Sequence, residues 1–158
     1  MANTQAMCTS FLGELLTATH NFGTAPTRGT STADTFKAAL YLTTATINAS
    51  TTAYTSTGEV SGTGYSAGGV AVTNGTAPSS TNTSSTAGTA YWTPSASITY
   101  TSVTLTTAFD TVLIYNSTQS NKAVSVHTFG SQTITAGTFT LTMPSNTTST
   151  ALLRLATT

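Results

Sequence analysis

The sequence predicts a mainly β protein: a β-sandwich or jelly-roll-like domain preceded by a short N-terminal α-helix and an extended linker. Three observations carry that reading. Thr and Ser supply 42 and 19 of the 158 residues, and β-branched Thr favours extended backbone. From Phe36 onward the apolar residues recur with period two. Only one segment, near the N-terminus, has helical spacing.

That segment is residues 5–17. Met7, Phe11 and Leu15 stand four apart, with Cys8, Leu12 and Leu16 beside them, which makes a single apolar stripe. Asn3 or Thr4 can cap its start, and Gly23 follows its end. A helix of about three turns is marginal alone, so it must dock on its own sheet or on a neighbouring subunit. We take Met7, Phe11, Leu12, Leu15 and Leu16 as its assembly contact. Residues 23–35, rich in Gly, Pro and Thr, read as a linker. The chain thus divides into a helical arm and linker, 1–30, and a β-sandwich domain, 31–158.

The strands follow in order. Phe36–Leu42 is the first, and Val70–Thr73 is reached through the glycine-dense turn 62–69. Residues 74–90 are low in complexity and read as a long exposed loop. Ile98–Leu105, Thr111–Tyr115 and Ala123–Thr128 come next. In the first of these, Ile98 and Tyr100 share one parity while Val103 and Leu105 share the other, which predicts a bulge near Ser102. A hairpin is expected over 133–143, turning at Ala136-Gly137. In its second arm Phe139, Leu141 and Met143 alternate with Thr138, Thr140 and Thr142, giving one dry face and one hydroxyl face. Leu152–Ala156 closes the chain. About eight short strands with no second helix argue a sandwich.

Composition excludes more than it specifies. Charged residues are 5% of the chain and the formal net charge is zero, against roughly 25% charged in an ordinary domain. Four scattered cations cannot grip a phosphate backbone, so no nucleic-acid partner is expected. No apolar run reaches the roughly 18 residues of a membrane span, and the start lacks a basic, cleavable leader. One cysteine, Cys8, allows no internal disulfide. Five Asn-x-Ser/Thr triplets, at Asn48, Asn74, Asn82, Asn116 and Asn146, carry no weight at this hydroxyl content.

Chemistry-bearing motifs are few. Gly64-Tyr65-Ser66-Ala67-Gly68 fits the G-x-S-x-G nucleophile elbow, with Asp110 and His127 following in the order Ser, Asp, His. The elbow needs a helix after its serine, and Gly69–Thr73 reads as a strand, so the turn reading is preferred. Gly62-x-Gly64-x-x-Ala67 nearly matches a dinucleotide fingerprint but lacks the acidic residue and the helix. His20, His127, Cys8 and the scattered carboxylates offer no metal-ligand spacing. No cofactor, metal or catalytic residue is expected. His127, between Val126 and Thr128, reads as an exposed strand residue, and His20 as a cation at the C-terminal end of the helix. Tyr65, Tyr91, Trp92 and Tyr100 could line a sugar-binding platform, with Trp92 more simply a core or interface anchor.

The run VLIYNSTQSNKAVSVHTFGSQTITAGTFTLTM, residues 112–143, resembles the C-terminal half of a family of small tailed-bacteriophage virion proteins. DTFKAALYL at 34–42, GEVSGTGY at 58–65 with Gly68-Gly69, and residues 11–20 agree in order. The resemblance covers most of residues 7–156, least so 74–90. It implies a non-enzymatic part of the particle, made in the host bacterial cytoplasm and assembled into the virion. A capsid decoration (cement) protein on the major capsid protein is the leading expectation, with a tail or neck component as the alternative. A homo-oligomer, with a trimer favoured, is expected. A glycan-binding module is the reading from another class.

Overall fold

The computed structural model describes residues 3–16, 18–23, 32–81 and 88–156, the Leu16 side chain excepted. In chain order these form β1 (Ala6–Met7), α1 (Thr9–Leu16), β2 (Phe36–Leu42), β3 (Val70–Val72), β4 (Ser79–Ser80) and β5 (Thr89–Trp92). They continue with β6 (Ile98–Asn116), β7 (Lys122–Leu141) and β8 (Leu153–Ala156). The strands build two antiparallel sheets, β1-β7-β6-β2-β3 and β4-β5-β8, in a β-sandwich-like arrangement.

Two long strands, β6 and β7, replace the five short ones expected between Ile98 and Met143. The turn between them is at 117–121, where Ser120 and Asn121 take positive φ. Ala136-Gly137 is not a hairpin turn. Ala136 has φ 47°, and its N–H bonds the Thr104 hydroxyl at 3.0 Å while pairing with β6 continues on both sides. A bulge of this kind inverts side-chain parity without ending a strand, which is why it reads as a turn. The bulge at Ser102 is present, with φ 53° and a register shift between Tyr100 and Val103. Phe139, Leu141 and Met143 do pack on the core while Thr138, Thr140 and Thr142 face outward.

Register assigns the faces of the large sheet. Ala38 opposes Ile114, Leu40 opposes Val112, and these continue to Ser125 and His127 on β7. Phe36 shares this face and meets Trp92 of the small sheet, ring centroids 6.0 Å apart. The opposite face carries Tyr41, Leu113, Tyr115 and Val126. The 43–69 loop covers it, with Tyr54 stacked on Tyr115 at 4.9 Å and Ala45, Ile47 and Val60 buried.

The N-terminal segment belongs to the same core. Cys8 is 0% and Phe11 2% exposed, and the Phe11 ring lies 4.9 Å from His20 and 6.0 Å from Phe22, which stacks on Phe36. Asn3 caps nothing. Its amide donates to Asp110 and to the Leu42 carbonyl, and its oxygen accepts the Ile47 N–H. α1 begins only at Thr9 because Ala6–Met7 pairs with β7 as a strand. The expected boundary at residue 30 falls outside the described residues, as does most of the linker. The 74–90 loop contains β4, and its residues 82–87 also lie outside.

The free edge of β2 beyond β3 is closed by a cluster around Glu59. Its Oε1 accepts the Tyr65 hydroxyl and the Gly68 N–H, both at 2.7 Å, and its Oε2 accepts the Tyr54 hydroxyl at 2.6 Å. The Tyr65 oxygen in turn accepts the Leu40 N–H, and the Leu40 carbonyl accepts Val60 N–H. Burial, and then the hydrogen bond to Glu59 and its charge, push the Tyr54 pKa up to about 12; burial raises Tyr65 well above the ordinary range, the Leu40 N–H opposing and Glu59 adding to the rise. Gly69 has φ 70° against β2, and a Cβ there would overlap the Ala38 carbonyl.

Two outcomes test this architecture by urea melts. Phe11→Ala costs about 3–5 kcal/mol, as a buried ring does, while Leu12→Ala stays within about 0.5 kcal/mol. Glu59→Ala strands two tyrosine hydroxyls and an N–H, and costs about 2–4 kcal/mol.

Candidate functional site

The residues expected to form an assembly contact separate in the structure. Phe11 is 2% exposed and packs against His20 and Phe22 of its own chain, so it offers no outward contact face. Met7 and Leu15 are half-buried, Leu12 is 44% exposed, and the Leu16 side chain lies outside the described residues. Met7, Phe11 and Leu15 line a cavity of about 150 Å³ with Phe22, Trp92 and Leu155. Leu155, at 40%, and Leu12 are the large apolar side chains exposed among the described residues.

A second cavity, about 230 Å³, lies at the mouth between the two sheets. Met7 and Leu153 wall both cavities, and Gln5, Ser125, His127 and Arg154 also line this one. His127 is therefore not the exposed strand residue expected. Its polar parity faces the gap between the sheets, where it is half-buried and its Nε2 lies 2.9 Å from the Ser125 Oγ. Burial lowers its pKa to about 4, so the ring is neutral at physiological pH.

The Ser, Asp, His order is not assembled into a triad. Among the described residues, the Ser66 carbonyl accepts from Gly69, Asp110 bonds Asn3 and Thr111, and His127 bonds Ser125. Ser66 sits exposed in a glycine turn followed by strand β3. Of the four aromatics of the expected platform, Tyr91 is half-buried beside the cavity of about 150 Å³ and the other three turn inward. Trp92 is 3% exposed with its N–H donated to the Thr76 carbonyl. Tyr100 is buried and gives its hydroxyl to the Ala38 carbonyl, and Tyr65 is half-buried in the Glu59 cluster. No group of three or more His, Cys, Asp or Glu gathers among the described residues. No helix among them is long and apolar enough to cross a membrane.

Sequence reasoning missed a buried polar chain that anchors the arm. Lys122 Nζ donates to Glu14 Oε1 at 2.6 Å, and Glu14 Oε2 meets His20 Nε2 at 2.7 Å. The Asn116 amide, fully buried, bonds His20 Nδ1 at 3.1 Å and Asp34 Oδ2 at 2.7 Å. His20 is thus no helix-terminal cation but a link between arm and sheet. Burial pulls the Glu14 carboxyl upward, and the hydrogen bonds of Lys122 and His20 outweigh it, so its pKa lies below the ordinary value. Burial, then the Glu14 charge, push the Cys8 thiol up to about 11. That leaves it unreactive. Comparisons with family models, curated proteins and solved structures find no match.

The His127 environment generates a pH dependence. Its folded pKa lies below the unfolded value, so as pH falls from about 6.5 towards 4 the unfolded chain takes the proton first and stability drops. The loss is at most about 3 kcal/mol, lowered further by the partial exposure of the ring. His127→Gln flattens stability across that window in urea melts run at several pH values. Loss of the Glu14 ion pair acts at lower pH, below about 4.5.

Proposed function

We propose that this chain is a non-enzymatic structural protein of a tailed-bacteriophage virion, as a capsid decoration (cement) protein held on the coat lattice. One observation carries the reading. All four carboxylates are engaged inside the chain: Glu14 with Lys122, Asp34 with Asn116, Glu59 with its tyrosines, and Asp110 with Asn3. Among the described residues the outer surface is rich in hydroxyls and poor in charge, with Arg154 exposed, and Leu12 and Leu155 interrupt it. Such a surface has little electrostatic protection against association and little long-range attraction for freely diffusing partners. It suits permanent contact by shape and neutral hydrogen bonds, as in a lattice.

The resemblance of residues 112–143 to small virion proteins supports the same reading, and the tail or neck remains its alternative location. Of the four aromatics behind the glycan-binding reading, Trp92 and Tyr100 are buried in the core and Tyr65 is held by Glu59, which leaves Tyr91 half-buried beside the apolar cavity. Quantitative gels of purified virions test the assignment. A cement protein is present in hundreds of copies, because lattice symmetry repeats its site, whereas a tail or neck part is present in about six to a few dozen. Absence from the particle overturns the proposal.

A further inference from the structure

We infer that Asn74 is a self-modification site. In the folded chain it loses its side-chain amide to attack by the Gly75 nitrogen, and its conversion to aspartate or isoaspartate unfastens the base of the linker. The inference is independent of the virion reading.

Asn74 joins the two ends of the linker. Its Oδ1 accepts the Gly23 N–H at 2.8 Å, and its Nδ2 donates to the Asp34 carbonyl at 3.1 Å and to the Gly23 carbonyl at 3.4 Å. Asn21 supports the same closure, giving its N–H to the Asp34 carboxylate and accepting the Asp34 N–H on its carbonyl. The residue after Asn74 must be glycine, because a Cβ on Gly75 would meet the Ser95 Oγ at 2.5 Å. Linker closure and packing thus impose the one Asn-Gly pair in the sequence. With no side chain to shield it, a glycine nitrogen is the most open nucleophile an asparagine can have beside it. That nitrogen and the Asn74 Cγ close a five-membered ring, so covalent geometry alone keeps them near.

Both reacting atoms carry a hydrogen bond that favours the step. Gly75 donates its N–H to the Ser95 Oγ at 3.1 Å, which draws the proton away from the attacking nitrogen. The Gly23 N–H on Oδ1 polarises the Cγ carbonyl and stabilises the oxyanion that forms as the nitrogen adds. Gly75 is exposed and Asn74 half-buried, so solvent takes the Gly75 proton and protonates the departing amide. Attack forms the Gly75 N–Cγ bond and breaks the Cγ–Nδ2 bond, leaving a succinimide and ammonia. Water then breaks the new N–Cγ bond, giving aspartate, or the original peptide bond, giving isoaspartate. Either product lacks the Nδ2 donor and carries a carboxylate among the Gly23 and Asp34 carbonyls, so the closure loses two bonds and gains a repulsion.

The test incubates the folded full-length protein in mildly alkaline buffer and follows residue 74 by peptide mass mapping. The expected result is a progressive gain of the amide-to-acid mass difference at Asn74, as a mixture of aspartate and isoaspartate. Ser95→Ala slows the conversion about three- to tenfold in the folded protein, the worth of one hydrogen bond, and leaves the rate in urea unchanged. Hydrogen exchange at the Asn21 and Asp34 amides is expected to quicken severalfold in Asn74→Asp. An unmodified Asn74 in the folded protein while the urea-unfolded chain converts overturns the site. So does a folded Ser95→Ala chain that converts as fast as wild type. Unchanged exchange in Asn74→Asp overturns the unfastening of the linker.

Discussion

Hydrogen bonding to four carboxylates holds this fold in its shape. The chain has few large aliphatic residues, and its long connections are mostly Thr, Ser, Gly and Ala, which bury too little apolar area to hold a loop against a sheet. Each carboxylate fastens one such segment. Asp110 on β6 takes Asn3, Glu14 joins α1 to Lys122 at the start of β7, Asp34 ties the end of the linker to Asn116 and Gln119, and Glu59 gathers the 53–69 loop. The partners are mostly neutral N–H and O–H groups, which bond a carboxylate more strongly than a neutral acceptor.

The Glu59 cluster shows why tyrosine dominates the second face of the large sheet. Tyr41, Tyr54, Tyr65, Tyr100 and Tyr115 supply area that the scarce leucines and isoleucines do not, but each buried hydroxyl needs a partner. Tyr41 finds the Thr55 carbonyl, Tyr100 the Ala38 carbonyl and Tyr115 the Gly68 carbonyl. Those acceptors lie in the loop or along the β2 edge, so satisfying the hydroxyls also positions the loop. A sheet edge that would otherwise be open is closed by side chains as much as by β3.

Much of the fold was legible because two periodicities dominate the sequence. The helical spacing of Phe11 and Leu15 and the alternation around Phe139 and Leu141 are both local patterns, whereas Met7, read as part of the same stripe, lies in β1. What was not legible depends on partners distant in sequence. The stripe shows that α1 must dock but not that its pocket is made by His20, Phe22 and Trp92. The bulge at Ser102 was legible from parity alone, whereas the one at Ala136 looks like a hairpin turn when the cross-strand partner is unseen. His127 sits between Val126 and Thr128 and shares its parity with Ser125, but that parity faces the gap between sheets, with Ser125 1% exposed. Glu59 had a faint signal, a single acid between Tyr54 and Tyr65 in a chain almost without acids.

The arm's anchor also has a defined direction of proton donation. The Asn116 oxygen accepts the N–H groups of Thr118 and Gln119, both at 3.1 Å, in the turn after β6. Its Nδ2 must then face both Asp34 and His20 Nδ1. A donor on Asn116 makes His20 Nδ1 the acceptor, which places the imidazole proton on Nε2, where it is donated to Glu14. The turn between the two longest strands therefore sets the tautomer of a histidine 96 positions earlier. Through that histidine it orients the carboxylate that holds α1 against the sheet. The β6–β7 turn and the arm thus share one hydrogen-bonded network, running from Thr118 and Gln119 through Asn116 and His20 to Glu14.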